Sequence, residues 1–283
     1  EQLRVLHARL ESALADGVLG VSLGLGYAPE CFYTTEQLID ALAPLRGSGI
    51  PLTVHMRQEG SGVVAALEEM LTVARALQTP LEISHLKAIG RVNWRAAVPQ
   101  MLAMMESARE DGVDVACDVY PYTAGSTQLI HVLPPECQTG GLEQLSERLG
   151  DAASRAQLRE RTQTGEDFAL TPLLARGGNM RIAALAGAED QKYVGQSIAA
   201  LAEKEGKDPF DALFDLLARE HCAVTMIDEI ACEDDLEAIL RDGHSSIISD
   251  SIYPGSGLCH PRVYGTFVRA IERYVRERDV LTL

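Results

Sequence analysis

Two histidines end short apolar segments that have nearly the same pattern. His55 closes the segment 52–55 (Leu-Thr-Val-His), and His85 closes the segment 81–85 (Leu-Glu-Ile-Ser-His), thirty residues later. If these segments are neighbouring parallel strands, about 4.8 Å apart, both imidazoles lie at the same edge of the sheet and can bind one metal ion. A histidine after one apolar strand is more often structural, but its repetition one strand-plus-helix unit later favours a shared metal site.

A carboxylate is expected at the same edge of the sheet, because Asp250 ends a later predicted strand at 245–250. Metal-dependent hydrolases combine nitrogen or carboxylate ligands with a carboxylate that carries a proton during the reaction. His55, His85 and Asp250 supply these groups. The sequence therefore predicts metal-assisted hydrolysis.

The elements that must position these residues alternate between strand and helix. The pattern predicts strands at 17–26, 52–55, 81–85 and 113–120, with helices at 34–46, 63–77 and 93–111 between them. Such alternation is typical of a parallel sheet with right-handed crossovers, either a (β/α) barrel or an open doubly wound sheet. Gly24-Leu25-Gly26 resembles the start of a dinucleotide-binding loop, but Pro29 replaces the third glycine and excludes that function.

The alternation changes in the middle of the chain. Residues 128–223 contain Pro134-Pro135, a charged helical stretch at 142–164 and a possible strand at 180–185. We interpret this part as an inserted small α/β subdomain. Residues 1–127 are then the first part of a barrel, and residues 224–283 are its last part.

Composition limits the partners of this chain. Its 283 residues are 46% hydrophobic and carry 25 basic and 41 acidic side chains, a net charge of −16 that argues against binding nucleic acid or an anionic membrane. No apolar run approaches the roughly 18 residues of a membrane helix. The six cysteines include no C-x-x-C pair, so they are predicted to be reduced thiols of a cytoplasmic protein. The oligomeric state is left open.

Five short motifs resemble those of one known family. In chain order they are His55-Met56-Arg57, Ser84-His85-Leu86-Lys87, the segment 118–127 (Asp-Val-Tyr-Pro-Tyr-Thr-Ala-Gly-Ser-Thr), Ser249-Asp250 and the segment 260–267 (His-Pro-Arg-Val-Tyr-Gly-Thr-Phe). They are similar to the motifs of the N-acyl-D-amino-acid deacylases (D-aminoacylases) of the amidohydrolase superfamily. The resemblance implies a metal-dependent (β/α)8 barrel with an inserted small α/β domain. It also implies hydrolysis of N-acyl-D-amino acids, which are small molecules, to a carboxylate and a D-amino acid.

The same resemblance implies roles for single residues. His55 and His85 would bind zinc, in a site of one or two ions, and Asp250 would be the catalytic acid and base. The residues implied to hold the substrate are Lys87, Tyr120, Ser126 and Arg262. The family's His-x-His motif and a cysteine ligand are expected upstream, and Cys31 follows a different motif. The chain therefore looks like the central part of such an enzyme, with a barrel incomplete at both ends.

Two other functions remain open. A cyclic-amide hydrolase of the dihydroorotase or hydantoinase type would share the barrel and metal, although segments 118–127 and 260–267 favour deacylation. A catalytically silent barrel fragment that acts as an interaction module is favoured by the missing upstream ligands.

Two polar residues near these motifs are predicted to have structural roles. Asp118 is predicted to organise a turn, and His260, which precedes a proline, is predicted to order a loop through hydrogen bonds.

Overall fold

The computed structural model describes residues 1–164, 180–253 and 255–283. Its strands are β1 Val21–Gly24, β2 Leu52–His55, β3 Leu81–Ile83, β4 Val115–Val119, β5 Ala124–Gln128, β6 Arg181–Leu185, β7 Val224–Glu229 and β8 Ser245–Ile247. Its α-helices are α1 Gln2–Ala15, α2 Thr35–Ala41, α3 Val63–Leu77, α4 Ala97–Glu110, α5 Leu142–Gly150, α6 Ala152–Thr164, α7 Ile198–Glu205, α8 Pro209–Arg219, α9 Glu233–Arg241 and α10 Arg262–Arg269, which continues as a π-helix over Ala270–Glu277.

Five parallel strands form the first sheet, in the order β1-β2-β3-β4-β8. The register pairs Leu52 with Leu81 and Val54 with Ile83, so the segments that end in His55 and His85 are adjacent, as predicted. In β2 and β3 every second residue is buried in the core that the helices share, whereas Thr53 and Glu82, on the opposite face, are only half-buried. Strands β1 and β8 are the edges of this sheet.

The helices of this half follow the sequence pattern: α3 has the predicted bounds 63–77, whereas α2 and α4 are shorter than predicted. Thr34 and Gln37 form a capping box at the start of α2. The helix ends at Ala41 and a short 3₁₀ turn follows, because Pro44 cannot continue the helical hydrogen bonds. Helix α4 begins at Ala97, so Pro99 falls in its first turn, where a missing N–H costs nothing. This proline therefore does not interrupt the helix.

Three antiparallel strands form a second sheet, in the order β5-β7-β6. It has its own hydrophobic cluster, to which α7 and α8 contribute buried side chains. Strand β7 lies at the centre and pairs with β5 from Ala124–Glu229 to Gln128–Thr225. This sheet therefore extends one strand beyond each predicted limit of the subdomain 128–223, of which residues 165–179 lie outside the described residues.

No helix in the parts of the chain that the structure describes has the length and hydropathy needed to cross a membrane.

Candidate active site

A cleft lies where the carboxyl ends of the parallel strands face β5 and β7, and it contains about 1010 Å³ of space when the open solvent at its mouth is included. All the site residues predicted from the sequence line it: His55, His85, Lys87, Tyr120, Ser126, Asp250 and Arg262. Convergent polar groups in a large concave site are the usual mark of an active site.

The two histidines meet at one wall of this cavity. His55 Nδ1 lies 2.9 Å from His85 Nε2, and the imidazole centroids are 4.7 Å apart. This proximity follows from the register, because His55 ends β2 and His85 follows the neighbouring strand β3. Burial lowers the pKa of His55 to about 3, although the negative charge of Glu59 alone would raise it. The imidazole is therefore neutral and able to act as a ligand.

A third potential ligand, Glu59, was not predicted. The ligand atoms of His55, Glu59 and His85 all lie within 4.8 Å of one another. Glu59 Oε1 lies 3.1 Å from His85 Nδ1 and 3.9 Å from His55 Nδ1. Burial alone would raise the pKa of Glu59, but the ammonium of Lys87 and the two imidazoles hold it well below its usual range. Two imidazole nitrogens and a carboxylate oxygen are a donor set that suits zinc.

Lys87 is held inside this cluster and is buried. Its ammonium donates to Glu59 Oε1 and, at 3.1 Å, to the carbonyl of His85, and it lies 2.9 Å from His85 Nδ1. Burial lowers the pKa of Lys87, and the charge of Glu59 more than compensates, so that the pKa is raised overall. Lys87 therefore contributes a fixed positive charge beside the two histidines.

Tyr27 and Gly26 position His55 from the loop after β1. The Tyr27 ring stacks on the His55 ring at 4.4 Å between centroids, and its hydroxyl lies 3.2 Å from His55 Nδ1. A side chain at position 26 would place Cβ 2.6 Å from His55 Nε2. The second glycine of Gly24-Leu25-Gly26 thus makes room for the imidazole, a role that the sequence pattern did not indicate.

The backbone at His85 is held by Asp118. His85 has a positive φ of 40°, and its N–H donates to the Asp118 carboxylate at the end of β4. Burial raises the pKa of Asp118, and the His85 N–H opposes that rise. Asp118 organises the turn, as the sequence suggested.

Asp250 and Arg262 meet at another part of the cavity wall. Arg262 Nη1 donates to Asp250 Oδ2 at 2.8 Å, and Nη2 donates to the carbonyl of Ser126 at 2.9 Å. The guanidinium is 1% exposed and lies 4.6 Å above the Tyr120 ring. Asp250, like His85, has a positive φ, here 45°. The two residues predicted for separate roles thus form one ion pair.

The remaining predicted residues, Tyr120 and Ser126, are held by their surroundings. Burial raises the pKa of Tyr120, so its phenol stays protonated. Ser126 Oγ donates to the carbonyl of Met226 at 3.0 Å. His260 orders its loop as expected, since Nδ1 accepts from the Arg262 N–H and Nε2 lies 3.1 Å from the carbonyl of Ala124.

His131, which no sequence pattern marked, also lines the cavity. Its ring centroid lies 4.5 Å from that of Tyr27. Burial lowers the pKa of His131 to about 4, although the negative charge of Glu59 alone would raise it. It follows β5, so only the folding of the second sheet brings it to the site.

The chain resembles known amidohydrolases in sequence and structure. No family model matches it. A D-aminoacylase and an N-acyl-D-glutamate deacylase, both from Alcaligenes xylosoxydans xylosoxydans, are 31% and 30% identical to it over the whole chain. The chain spans about half the length of these curated relatives, 48% of each.

Solved structures agree with this relationship. A crystal structure of a D-aminoacylase described as defining a novel subset of amidohydrolases superposes with a TM-score of 0.74 at 29% identity, covering 100% of this chain and 49% of its own. The crystal structure of an N-acyl-D-glutamate deacylase from Bordetella bronchiseptica, with zinc and a phosphonate inhibitor, superposes with a TM-score of 0.76 at 28% identity. The match covers 99% of this chain and 49% of the deacylase. The chain thus has an α/β fold of the amidohydrolase type. The resemblance to the N-acyl-D-amino-acid deacylases that its motifs indicated is confirmed.

Proposed function

We propose that the protein containing this chain is a zinc-dependent hydrolase that cleaves the amide bond of N-acyl-D-amino acids to a carboxylate and a D-amino acid. The observation that carries the proposal is that two adjacent imidazoles and a carboxylate share one cavity with an aspartate–arginine pair. The names of the relatives give the substrate class, and the chemistry of the side chains is consistent with it.

We further propose that the five parallel strands belong to a (β/α)8 barrel into which the second sheet is inserted. The half-buried, partly polar face of the parallel sheet supports this, because in a closed barrel such a face is covered by side chains of the other strands. The sequence-based limits 1–127, 128–223 and 224–283 are kept as proposed domain boundaries, except that the inserted sheet reaches out to Ala124 in β5 and to Glu229 in β7.

The metal would be held by His55 and His85, with Glu59 as a further ligand and as the anion that fixes Lys87. Zinc, when bound, supplies a Lewis acid for the amide carbonyl and activates water. The chain's own residues prepare that site. Tyr27 orients the His55 ring, and Asp118 holds the turn of His85.

Asp250 is the proposed proton carrier. Its ion pair with Arg262 uses Oδ2 and fixes the carboxylate at the cavity wall, which leaves Oδ1 to take a proton and to deliver it to the departing nitrogen. Arg262 is buried, so this orientation does not depend on a mobile surface side chain.

Lys87, Tyr120, Ser126 and Arg262 are the proposed substrate contacts. Arg262 retains one buried N–H, at Nε, that has no hydrogen-bond partner among the described residues. A buried donor without a partner is costly, and the carboxylate of an N-acyl amino acid would satisfy it. Lys87 adds a positive charge on the histidine side of the cavity.

The test is hydrolysis of N-acetyl-D-methionine, N-acetyl-L-methionine and a hydantoin, together with zinc analysis, for wild type, His55→Ala and His85→Ala. We expect hydrolysis of the D compound and loss of both zinc and activity in the two variants. His244→Ala, at an exposed histidine outside the cavity, is the matched control and should keep both. Hydrolysis of the hydantoin alone, or unchanged zinc in both variants, would contradict the proposal.

A further inference from the structure

A buried carboxylate in the cavity wall has no role in the chemistry described above. Met226 and Asp228 lie in β7 and both line the cavity, because alternate residues of a strand point to the same side. Ile230, immediately after the strand, lines it too. Asp228 is 2% exposed and is paired across the sheet with Gly125. Asp228 is thus an acidic side chain among apolar neighbours in this part of the cavity wall.

No described residue satisfies this carboxylate. Neither Oδ1 nor Oδ2 has a hydrogen-bond partner among the residues that the structure describes. The cations of the cavity are engaged elsewhere, Lys87 with Glu59 and Arg262 with Asp250. Burial raises the pKa of Asp228 to about 7; the backbone N–H of Glu229 lies near enough to oppose this rise but makes no hydrogen bond of normal geometry with the carboxylate. An unpaired buried carboxylate is costly, and such groups are usually satisfied by a partner or a ligand.

The surroundings of Asp228 suit a ligand with an apolar stem and a charged end. Met226, on the same face of β7, and Ile230, just after the strand, line the cavity beside it, and Ser126, a proposed substrate contact, lies on the neighbouring strand β5. Long basic side chains cover apolar surface with their methylene groups and place a cation at the tip.

We propose that Asp228 binds the cationic side chain of the substrate, so that the preferred substrates are N-acyl-D-amino acids with basic side chains. This inference rests on the proposed deacylase function and deepens it. An acidic side chain at the same place would meet a like charge and be disfavoured.

The test compares three compounds that differ in charge: N-acetyl-D-lysine, its uncharged analogue N-acetyl-D-norleucine, and N-acetyl-D-glutamate. For wild type at pH 8 we expect kcat/KM for the lysine compound to exceed that for the norleucine compound by at least about tenfold, as for a charge-assisted hydrogen bond. The glutamate compound should be the poorest of the three.

Asp228→Asn should reduce the lysine preference to about twofold or less, since the amide keeps the shape but lacks the charge. The matched control is Glu229→Gln, which removes the neighbouring charge from the exposed face of the same strand and should keep the preference. Equal preference in wild type and Asp228→Asn, or a preference for norleucine in wild type, would overturn the inference.

Calorimetric binding of the same compounds separates this inference from the proposed function. If nothing is hydrolysed, the deacylase proposal fails. Tighter binding of the lysine compound that Asp228→Asn abolishes still supports recognition of a cation, whereas equal or undetectable binding overturns it. N-glycyl-D-norleucine places the cation on the acyl group, so a preference for this compound over the lysine compound would refute the side-chain assignment.

Discussion

Replacement of Asp228 by asparagine should stabilise the protein, and more so at high pH. Burial raises the pKa of this carboxyl from 3.8 to about 7 in the folded state. Between these two values the folded protein binds more protons than the unfolded chain, so the free energy of unfolding falls as the pH rises. The stabilisation by the protonated acid is therefore present at low pH and is lost as the pH passes through the folded-state pKa.

The size of this effect follows from the two pKa values. The difference between the folded and unfolded pKa values lowers the free energy of unfolding by about 4 kcal/mol in total when the pH rises from below both values to above both. About 2.5 kcal/mol of this loss of stability occurs between roughly pH 5 and pH 8.5. Asparagine has no titrating group, so the difference in unfolding free energy between Asp228→Asn and wild type isolates this carboxyl from all others that titrate.

Urea unfolding of wild type and Asp228→Asn at pH 5 and at pH 8.5 measures that difference. We expect the variant to gain about 2 to 3 kcal/mol on wild type between the two conditions, with unchanged dependence on urea. The Glu229→Gln variant is the control, because its side chain is exposed, and it should show a much smaller change. A difference between Asp228→Asn and wild type that is the same at both pH values would refute the assignment of an ionisable, unpaired acid in the cavity wall.

Three further changes test the remaining side chains of the site. Gly26→Ala should displace the His55 ring and lower the zinc content, because the new Cβ would lie 2.6 Å from His55 Nε2. Gly150→Ala is the control, since the space around Gly150 is open and its zinc content should not change. A normal zinc content in Gly26→Ala would contradict the role given to this contact. Asp250→Asn should lower kcat by at least about 10²-fold with zinc retained, and a near-normal kcat would exclude the proton-carrying role. Arg262→Lys should raise KM for an N-acyl-D-amino acid by about tenfold or more but change the poor binding of its carboxamide little, because lysine cannot reproduce the guanidinium fork. An equal effect on both compounds would exclude the carboxylate contact.

The local pattern predicted the parallel sheet and the meeting of its two histidines well. Strand-plus-helix spacing determines which strands are neighbours, and parallel register then places His55 beside His85. The strand ends were less accurate, since β3 stops at Ile83 and β8 at Ile247, where the chain turns into positive-φ residues that no propensity marks.

Residues that reach the site from irregular segments or from the second sheet were not predictable in the same way. Glu59 stands four residues after His55, a spacing that offers a signal, but residues 55–59 are not helical and the pattern alone does not bring the two side chains together. His131 and Asp228 depend on long-range pairing within the β5-β7-β6 sheet. Their burial, and hence their pKa values, exist only in the folded chain.

The left-handed backbone at His85 and Asp250 makes the residue type at these two positions informative about whether the proposed site is in use. An L-residue other than glycine pays a conformational cost there, on the order of 1 kcal/mol, which selection tolerates only while the imidazole and the carboxylate are needed. In relatives that no longer use the proposed site, glycine or asparagine at these two positions is the expected replacement, since either relaxes the backbone. The residue types at these two turns therefore give an indication of whether a related sequence retains the proposed site that does not depend on the other cavity side chains.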